Sequence, residues 1–176
     1  YDPMSIREEG DIDFSVVDGA PKVPVAGFSN SVDFDEEEGK QRLRRRSSVR
    51  FDDVSIGSYI GKGSTSTVMK GKFNSTGKRV ALKKINVVAE KRGTILREIR
   101  ALYITDCSAI VKFYGAFYRE GSIWIVLQYM DRGTAKELIK SHGGNIPEKT
   151  LAGIGFHLFW ALAYLRHEKR LHRDIK

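Results

Sequence analysis

The stretch from Ile60 to Lys83 constrains the fold of this chain more than any other. It reads I-G-K-G-S-T-S-T-V-M-K-G, passes through a turn at Asn74–Gly77, and ends in V-A-L-K. Glycine allows unusual backbone angles and lets backbone N–H groups come close to an anion. Gly61 and Gly63 between short apolar segments therefore predict a hairpin whose tip approaches another group. A G-x-G pair alone is more often just a turn, so its function depends on the residues that come after it in the chain.

Lys83 follows the hairpin on the next predicted strand. Side chains alternate between the two faces of a strand, so Lys83 shares its face with Ala81 and Ile85. Leu82 and Lys84 point to the opposite face. A small residue and a lysine beside a glycine-rich hairpin would suit a flat ring that carries a phosphate tail.

Residues 91–104 have the spacing of an amphipathic helix. Its apolar stripe consists of Ile95, Ile99, Leu102 and Tyr103. Glu98 shares this face, where a carboxylate is costly unless it is paired. An ordinary pair along the helix surface is the alternative, but Thr94 and Leu102 offer no counter-charge. The sequence therefore predicts an ion pair between Glu98 and Lys83.

Charge is distributed unevenly along the 176 residues, although the formal net charge is +8. Residues 1–39 carry 11 Asp/Glu and 2 Lys/Arg, whereas residues 40–50 carry 6 Lys/Arg and no acid. The remaining basic residues are scattered, without the interleaved aromatic residues of a single-strand binder, which disfavours nucleic acid as a partner. The longest apolar run, 158–165, is too short to span a bilayer.

Residues 1–10 are polar and lack the apolar region of a secretory signal. Cys107 is the one cysteine, which fits a reducing compartment. We therefore expect a cytoplasmic protein, and the nucleus is a second candidate location.

Three segments are predicted. Residues 1–39 are acidic, contain three of the four prolines and show no periodicity, so we expect a disordered tail. Residues 40–51 form a basic linker, and residues 52–176 form the globular part.

The linker has two predicted uses besides that of a solvated tether. Ser48, in the string R-R-S-S-V over residues 45–49, would suit a kinase that selects basic sequences. Alternatively, a basic cluster followed by two apolar residues resembles a docking peptide for an acidic groove with apolar pockets. That peptide would use Arg44, Arg45, Arg46, Val49 and Phe51.

The rest of the chain predicts two strands and two helices. Residues 109–118 and 122–130 read as strands, and the second is nearly continuous in apolar residues and therefore buried. Residues 134–141 form a short helix, and Pro147 starts a longer one. The chain then reads L-H-R-D-I-K over residues 171–176.

Taken in order, these motifs resemble a protein kinase domain. The hairpin G-K-G-S-T-S-T-V, then V-A-L-K, then Glu98 on a helix, then H-R-D-I-K have the order and approximate spacing of that family. The strings A-L-K-K-I-N, I-L-R-E-I, F-Y-G-A-F and Y-M-D-R-G resemble those of MAP kinase kinases, which are dual-specificity enzymes. The resemblance covers residues 52–176.

The resemblance implies an α+β fold of the protein-kinase type. We expect a small lobe with a five-stranded antiparallel sheet and one helix, followed by the first helices of the large lobe. It also implies ATP and Mg²⁺ as cofactors, a MAP kinase as substrate and an upstream kinase as activator. No membrane partner is implied.

The resemblance further assigns roles to individual residues. Lys83 would hold the ATP phosphates and be fixed by Glu98, Asp174 would accept the proton of the acceptor hydroxyl, and Lys176 would neutralise charge on the transferred group. Val68 and Ala81 would sandwich the adenine, with Leu127 behind it. The implied nucleotide contacts are Ile60, Gly61, Lys62, Gly63, Ser64, Thr65, Ser66, Thr67, Val68, Ala81, Lys83, Leu127, Gln128 and Met130.

The sequence also departs from the family pattern. Ser66 replaces the third glycine of the hairpin. The segment from Tyr164 to His172 is one residue short, and Arg170 stands where an apolar residue normally packs. The Asn and Asp-Phe-Gly residues that hold Mg²⁺ in kinases would lie beyond Lys176. We therefore expect a fragment that is inactive alone, and a non-catalytic scaffold or pseudokinase is the alternative function.

Overall fold

The computed structural model describes residues 10–11, 49–63, 66–87 and 92–175. They form two compact units. The first contains the described residues up to Ile104 together with Phe113–Tyr129, and the second contains Thr105–Lys112 and the described residues from Met130 onward.

An antiparallel sheet dominates the first unit. Its strands are β1 (Gly10–Asp11), β2 (Val54–Lys62), β3 (Ser66–Phe73), β4 (Arg79–Asn86), β5 (Phe113–Arg119) and β6 (Ser122–Gln128). They lie in the order β1-β5-β6-β4-β3-β2. Helix α1 (Arg92–Tyr103) packs on one face, and a short 3₁₀ helix (Phe51–Asp53) precedes β2. The predicted α+β kinase-type fold, with five antiparallel strands and a helix, is confirmed.

Strand β1 was not expected, because residues 1–39 were predicted to lack regular structure. Gly10 pairs with Tyr118 and Asp11 with Phe117 on β5. Without β1, one side of β5 would be an edge with free backbone donors and acceptors, which any short extended segment can pair. The other residues of the predicted tail lie outside the described part of the chain.

Strand β5 starts at Phe113 rather than at Ala109. In the preceding segment the Ile110 N–H donates to the Cys107 carbonyl, at 3.1 Å. This turn replaces the first four residues of the predicted strand, and it belongs to the second unit.

The sheet separates two apolar clusters. We call the side that packs against α1 the helix face and the other side the outer face. The helix-face cluster contains Ile85, Ile95, Leu96, Ile99, Tyr103, Phe113, Ala116, Ile123 and Ile125. The outer-face cluster contains Val49, Val54, Val80, Leu82, Phe117, Trp124 and Val126. Alternate residues of β4 and β6 supply the two clusters, so the period-two pattern of these strands fixes their orientation.

Val49 and Phe51 belong to this fold, which corrects their assignment to a docking peptide. Val49 is only 9% exposed in the outer-face cluster. The Phe51 ring packs edge-on against Phe117, and the Arg119 guanidinium lies over it at 3.5 Å from the ring centroid. Both apolar side chains are thus engaged by the sheet of their own chain. Arg44, Arg45, Arg46 and Ser48 lie outside the described residues.

The described residues of the second unit contain two helices, α2 (Ala135–Ser141) and α3 (Glu148–His167). Thr134 and Glu137 cap α2 reciprocally: the Glu137 N–H donates to Thr134 Oγ1, and the Thr134 N–H donates to Glu137 Oε2. The Thr134 hydroxyl also donates to Glu137 Oε2. The backbone and side-chain hydrogen bonds from Thr134 to this carboxylate lower the pKa of Glu137. No helix among the described residues has the length and apolar character needed to cross a membrane.

Candidate functional site

Lys83 and Glu98 form the centre of the candidate site. In the sheet, Lys83 on β4 stands opposite Val68 on β3 and Ile125 on β6, so its side chain lies on the helix face. Helix α1 is anchored on that face by Ile99, which is fully buried. Lys83 Nζ lies 2.5 Å from Glu98 Oε1, and the predicted ion pair is therefore present.

The Lys83–Glu98 pair is partly solvent-exposed. The side chains retain 26% and 43% of their accessible surface. An ion pair at such a site contributes little to stability, roughly 0–1 kcal/mol, because water screens it. Its main effect is therefore geometric: the carboxylate fixes the ammonium group at one point above the sheet.

Lys84 gives a useful contrast because it is the next residue on the same strand. It points to the outer face, where its Nζ lies 5.2 Å from the centroid of the Trp124 ring. Two consecutive lysines thus have different partners, a carboxylate on one face and an aromatic ring on the other.

A partly exposed apolar surface adjoins the Lys83 ammonium group. Val68 lies opposite Lys83, and Ala81 lies opposite Leu127, which places all of them on the helix face. These three apolar residues are half-buried, whereas Ile123 on the same face is fully buried. The arrangement offers a flat ring an apolar surface with a cation beside it, so the residues present fit a nucleotide.

The glycine-rich hairpin joins β2 to β3. Gly61 pairs with Val68 and Lys62 with Thr67, and the Gly63 N–H donates to the Ser66 carbonyl at 2.8 Å. A Cβ at Gly63 would lie 2.9 Å from Ser66 Oγ, whereas one at Gly61 would meet nothing within 4 Å.

A side chain at Gly63 would thus require Ser66 Oγ to move, while Gly61 leaves open space on the hairpin. Ile60 precedes it as a 45% exposed residue of β2. Ser64 and Thr65 lie outside the described residues.

The end of β6 contains the residues predicted to contact the adenine edge. Gln128 is the last residue of the strand, and Met130 is 63% exposed at the start of the second unit. The Tyr129 ring between them has Lys70 Nζ and the Arg79 guanidinium carbon 5.2 and 5.3 Å from its centroid.

The contacts of Tyr129 have no local signal in the sequence. Both cations share its face of the sheet, so they hold the end of β6 through cation–π contacts. Only the register of β3, β4 and β6 shows this juxtaposition.

Asp174 lies in the second unit, whereas Lys83 lies in the first. Its N–H donates to His172 Nδ1 at 3.3 Å, and Arg173 between them has a φ of 65°. This local turn orients the backbone at Asp174. Lys176 lies outside the described residues. Among the described residues, no group of three or more His, Cys, Asp or Glu side chains could hold a metal ion.

Comparison with known proteins agrees with this geometry. The family model described as the protein kinase domain matches residues 54–176. The chain therefore belongs to the protein kinase family. It is also similar to dual specificity mitogen-activated protein kinase kinase 1 of Dictyostelium discoideum, with 36% identity over 127 residues. That match covers 70% of this chain and 19% of the relative, so the chain spans about a fifth of that protein's length.

Proposed function

We propose that this chain supplies the nucleotide-binding part of an ATP-dependent protein kinase of the MAP kinase kinase type. Its parent enzyme would transfer the γ-phosphoryl group to Ser/Thr and Tyr hydroxyls of a MAP kinase, acting in the cytoplasm. The observation that carries the proposal is the Lys83–Glu98 pair beside a half-exposed apolar surface. The similarity to a dual-specificity relative supports the substrate class.

The proposed role of Lys83 is to bind phosphate oxygens. A lysine ammonium has three donors, so it can bond to Glu98 and still donate to phosphate oxygens. The carboxylate limits the positions that the ammonium group can take, which provides the positioning that phosphoryl transfer requires. Val68, Ala81 and Leu127 would pack against the adenine, and the backbone of Gln128 and Met130 would bond to its edge.

The proposed roles in the second unit concern the acceptor. Asp174 would orient the acceptor hydroxyl and take its proton, and Lys176 would stabilise charge on the transferred phosphoryl group. Mg²⁺, when bound, would neutralise phosphate charge. Arg44, Arg45 and Arg46 remain candidates for contact with an acidic surface of the MAP kinase.

Nucleotide binding tests the first part of the proposal directly. Titration of the chain with ATP and Mg²⁺, followed by calorimetry, should give saturable binding. Lys83→Met should weaken the affinity by about 10- to 100-fold, the effect of losing a hydrogen bond to a charged group. Lys84→Met is the matched control, since it removes the same charge from the outer face, and its affinity should stay within about twofold of the parent. Equal losses for both variants would contradict the assignment.

Phosphoryl transfer tests the second part. In the full-length protein, Asp174→Asn should abolish phosphorylation of a purified MAP kinase while ATP affinity is retained. If Asp174→Asn leaves downstream signalling in cells intact, the enzyme proposal fails and the scaffold function is favoured instead.

A further inference from the structure

The turn after α3 contains an arginine at a position that is usually apolar. Helix α3 ends at His167, and Lys169, two residues later, has a left-handed backbone conformation with a φ of 54°. The Lys169 N–H donates to the Arg166 carbonyl at 3.0 Å, and the Arg170 N–H donates to the Leu165 carbonyl at 2.8 Å. This is the Schellman arrangement, in which the residue at position 170 commonly packs an apolar side chain against position 165. Arg170 cannot supply this apolar contact, and its guanidinium instead forms a hydrogen bond elsewhere.

One partner of Arg170 is a threonine 65 residues earlier in the chain. Arg170 Nη1 donates to Thr105 Oγ1 at 2.9 Å in a partly buried setting. The neighbouring Asp106 N–H donates to the hydroxyl of Tyr164 on α3, at 3.0 Å. The segment Thr105–Lys112 is thus attached to the end of α3 at two adjacent residues.

We propose that Arg170 is a positioning residue for the loop that contains Asp174, and that Thr105 is its anchor. Residues 168–175 have no regular secondary structure. A planar guanidinium that donates to a fixed hydroxyl restrains the chain four residues before Asp174. The inference rests on the proposed function, because it gives this restraint a role in catalysis.

The proposal predicts a specific kinetic effect. Misplacing a catalytic group by about 1 Å can reduce the rate about 100-fold. In the full-length protein, Thr105→Val, which removes the hydroxyl at nearly constant volume, should lower kcat for MAP kinase phosphorylation by about 10- to 100-fold. KM for ATP should stay within about twofold, because the nucleotide contacts lie elsewhere. Arg170→Met, which removes the donor of the same hydrogen bond, should lower kcat at least as much.

Two comparisons separate positioning from general stabilisation. The losses of the Thr105 and Arg170 single variants should be less than multiplicative in the double variant, because the two residues share one hydrogen bond. Arg166→Met, on the exposed side of α3, is the matched control and should leave kcat unchanged. Equal kcat in the Thr105→Val variant and the parent, or losses that multiply in the double variant, would overturn the proposal.

Hydrogen exchange provides a readout that does not depend on activity. Thr105→Val should accelerate amide exchange both in residues 105–112 and in residues 170–174. Acceleration confined to residues 105–112 would refute the role of Arg170. If the parent protein transfers no phosphate, the proposed function fails, and the exchange data still decide whether Arg170 restrains the loop.

Discussion

Removing the Phe51 ring distinguishes a segment that belongs to the fold from one that serves a partner. A docking peptide contributes nothing to the stability of its own domain, whereas a packed side chain does. Phe51→Ala deletes an edge-on contact with Phe117, a cation–π contact with Arg119, and the burial of most of a ring. The two interpretations therefore predict different free energies of unfolding.

The contacts of Phe51 determine how much free energy of unfolding the Phe51→Ala variant should lose. An aromatic pair contributes about 0.5–1.5 kcal/mol beyond burial, and a cation–π contact at an exposed site about 0.5–1 kcal/mol. Partial burial of a phenylalanine adds about 1–2 kcal/mol. We therefore expect Phe51→Ala to lower the free energy of unfolding of the first unit by about 2–4 kcal/mol.

Urea denaturation followed by tryptophan fluorescence measures this loss. The chain has two tryptophans, and a Trp160→Phe background leaves Trp124, which stacks on Phe117 in the outer-face cluster, as the reporter. With an m-value of about 2 kcal/mol/M, the midpoint should fall by roughly 1–2 M. Phe159→Ala removes a ring that is 71% exposed and is the matched control. A Phe51→Ala midpoint equal to that of the control would refute the packing argument and restore the docking assignment.

Two further predictions concern the second unit. Lys169→Gly should raise the free energy of unfolding by about 0.5–1 kcal/mol, since lysine is strained at a φ of 54° and glycine is not. A lower thermal midpoint for this variant would contradict the prediction. Folding lowers the pKa of Glu137, so its contribution to α2 is present above the ordinary glutamate pKa and is lost as pH falls through the lowered value. The helical amide shifts of α2 in an NMR pH titration should show this loss, and Glu137→Gln should remove it.

The sheet and the ion pair were predictable because their signals are local. Period-two alternation placed Lys83 and Leu82 on opposite faces before any contact was known. An acid in the apolar stripe of α1 demanded a cation, and Lys83 was the natural partner. These inferences depended on spacing within a few residues, for which the sequence is sufficient.

The contacts that sequence analysis missed all join distant segments. A basic cluster followed by Val49 and Phe51 fits a docking peptide and an internal packing segment equally well, and only the shape of the outer face decides between them. Arg170 departs from the family pattern, in which an apolar residue packs at this position. Thr105, to which it donates a hydrogen bond, lies 65 residues away in the chain. The Tyr129 contacts depend on the register of three strands. Contacts of this kind depend on the tertiary structure, and no local sequence pattern predicts them.

The register of β4 makes Lys83, rather than its neighbour, the candidate for phosphate binding. A slip of one residue would move Lys83 to the Trp124 side and bring Lys84 to Glu98. Val80 and Leu82 oppose that slip, since both are fully buried in the outer-face cluster and would have to exchange places with charged side chains. The packing of one face therefore selects which lysine the other face presents. The candidate site depends as much on the apolar residues of the outer face as on the ion pair on the helix face.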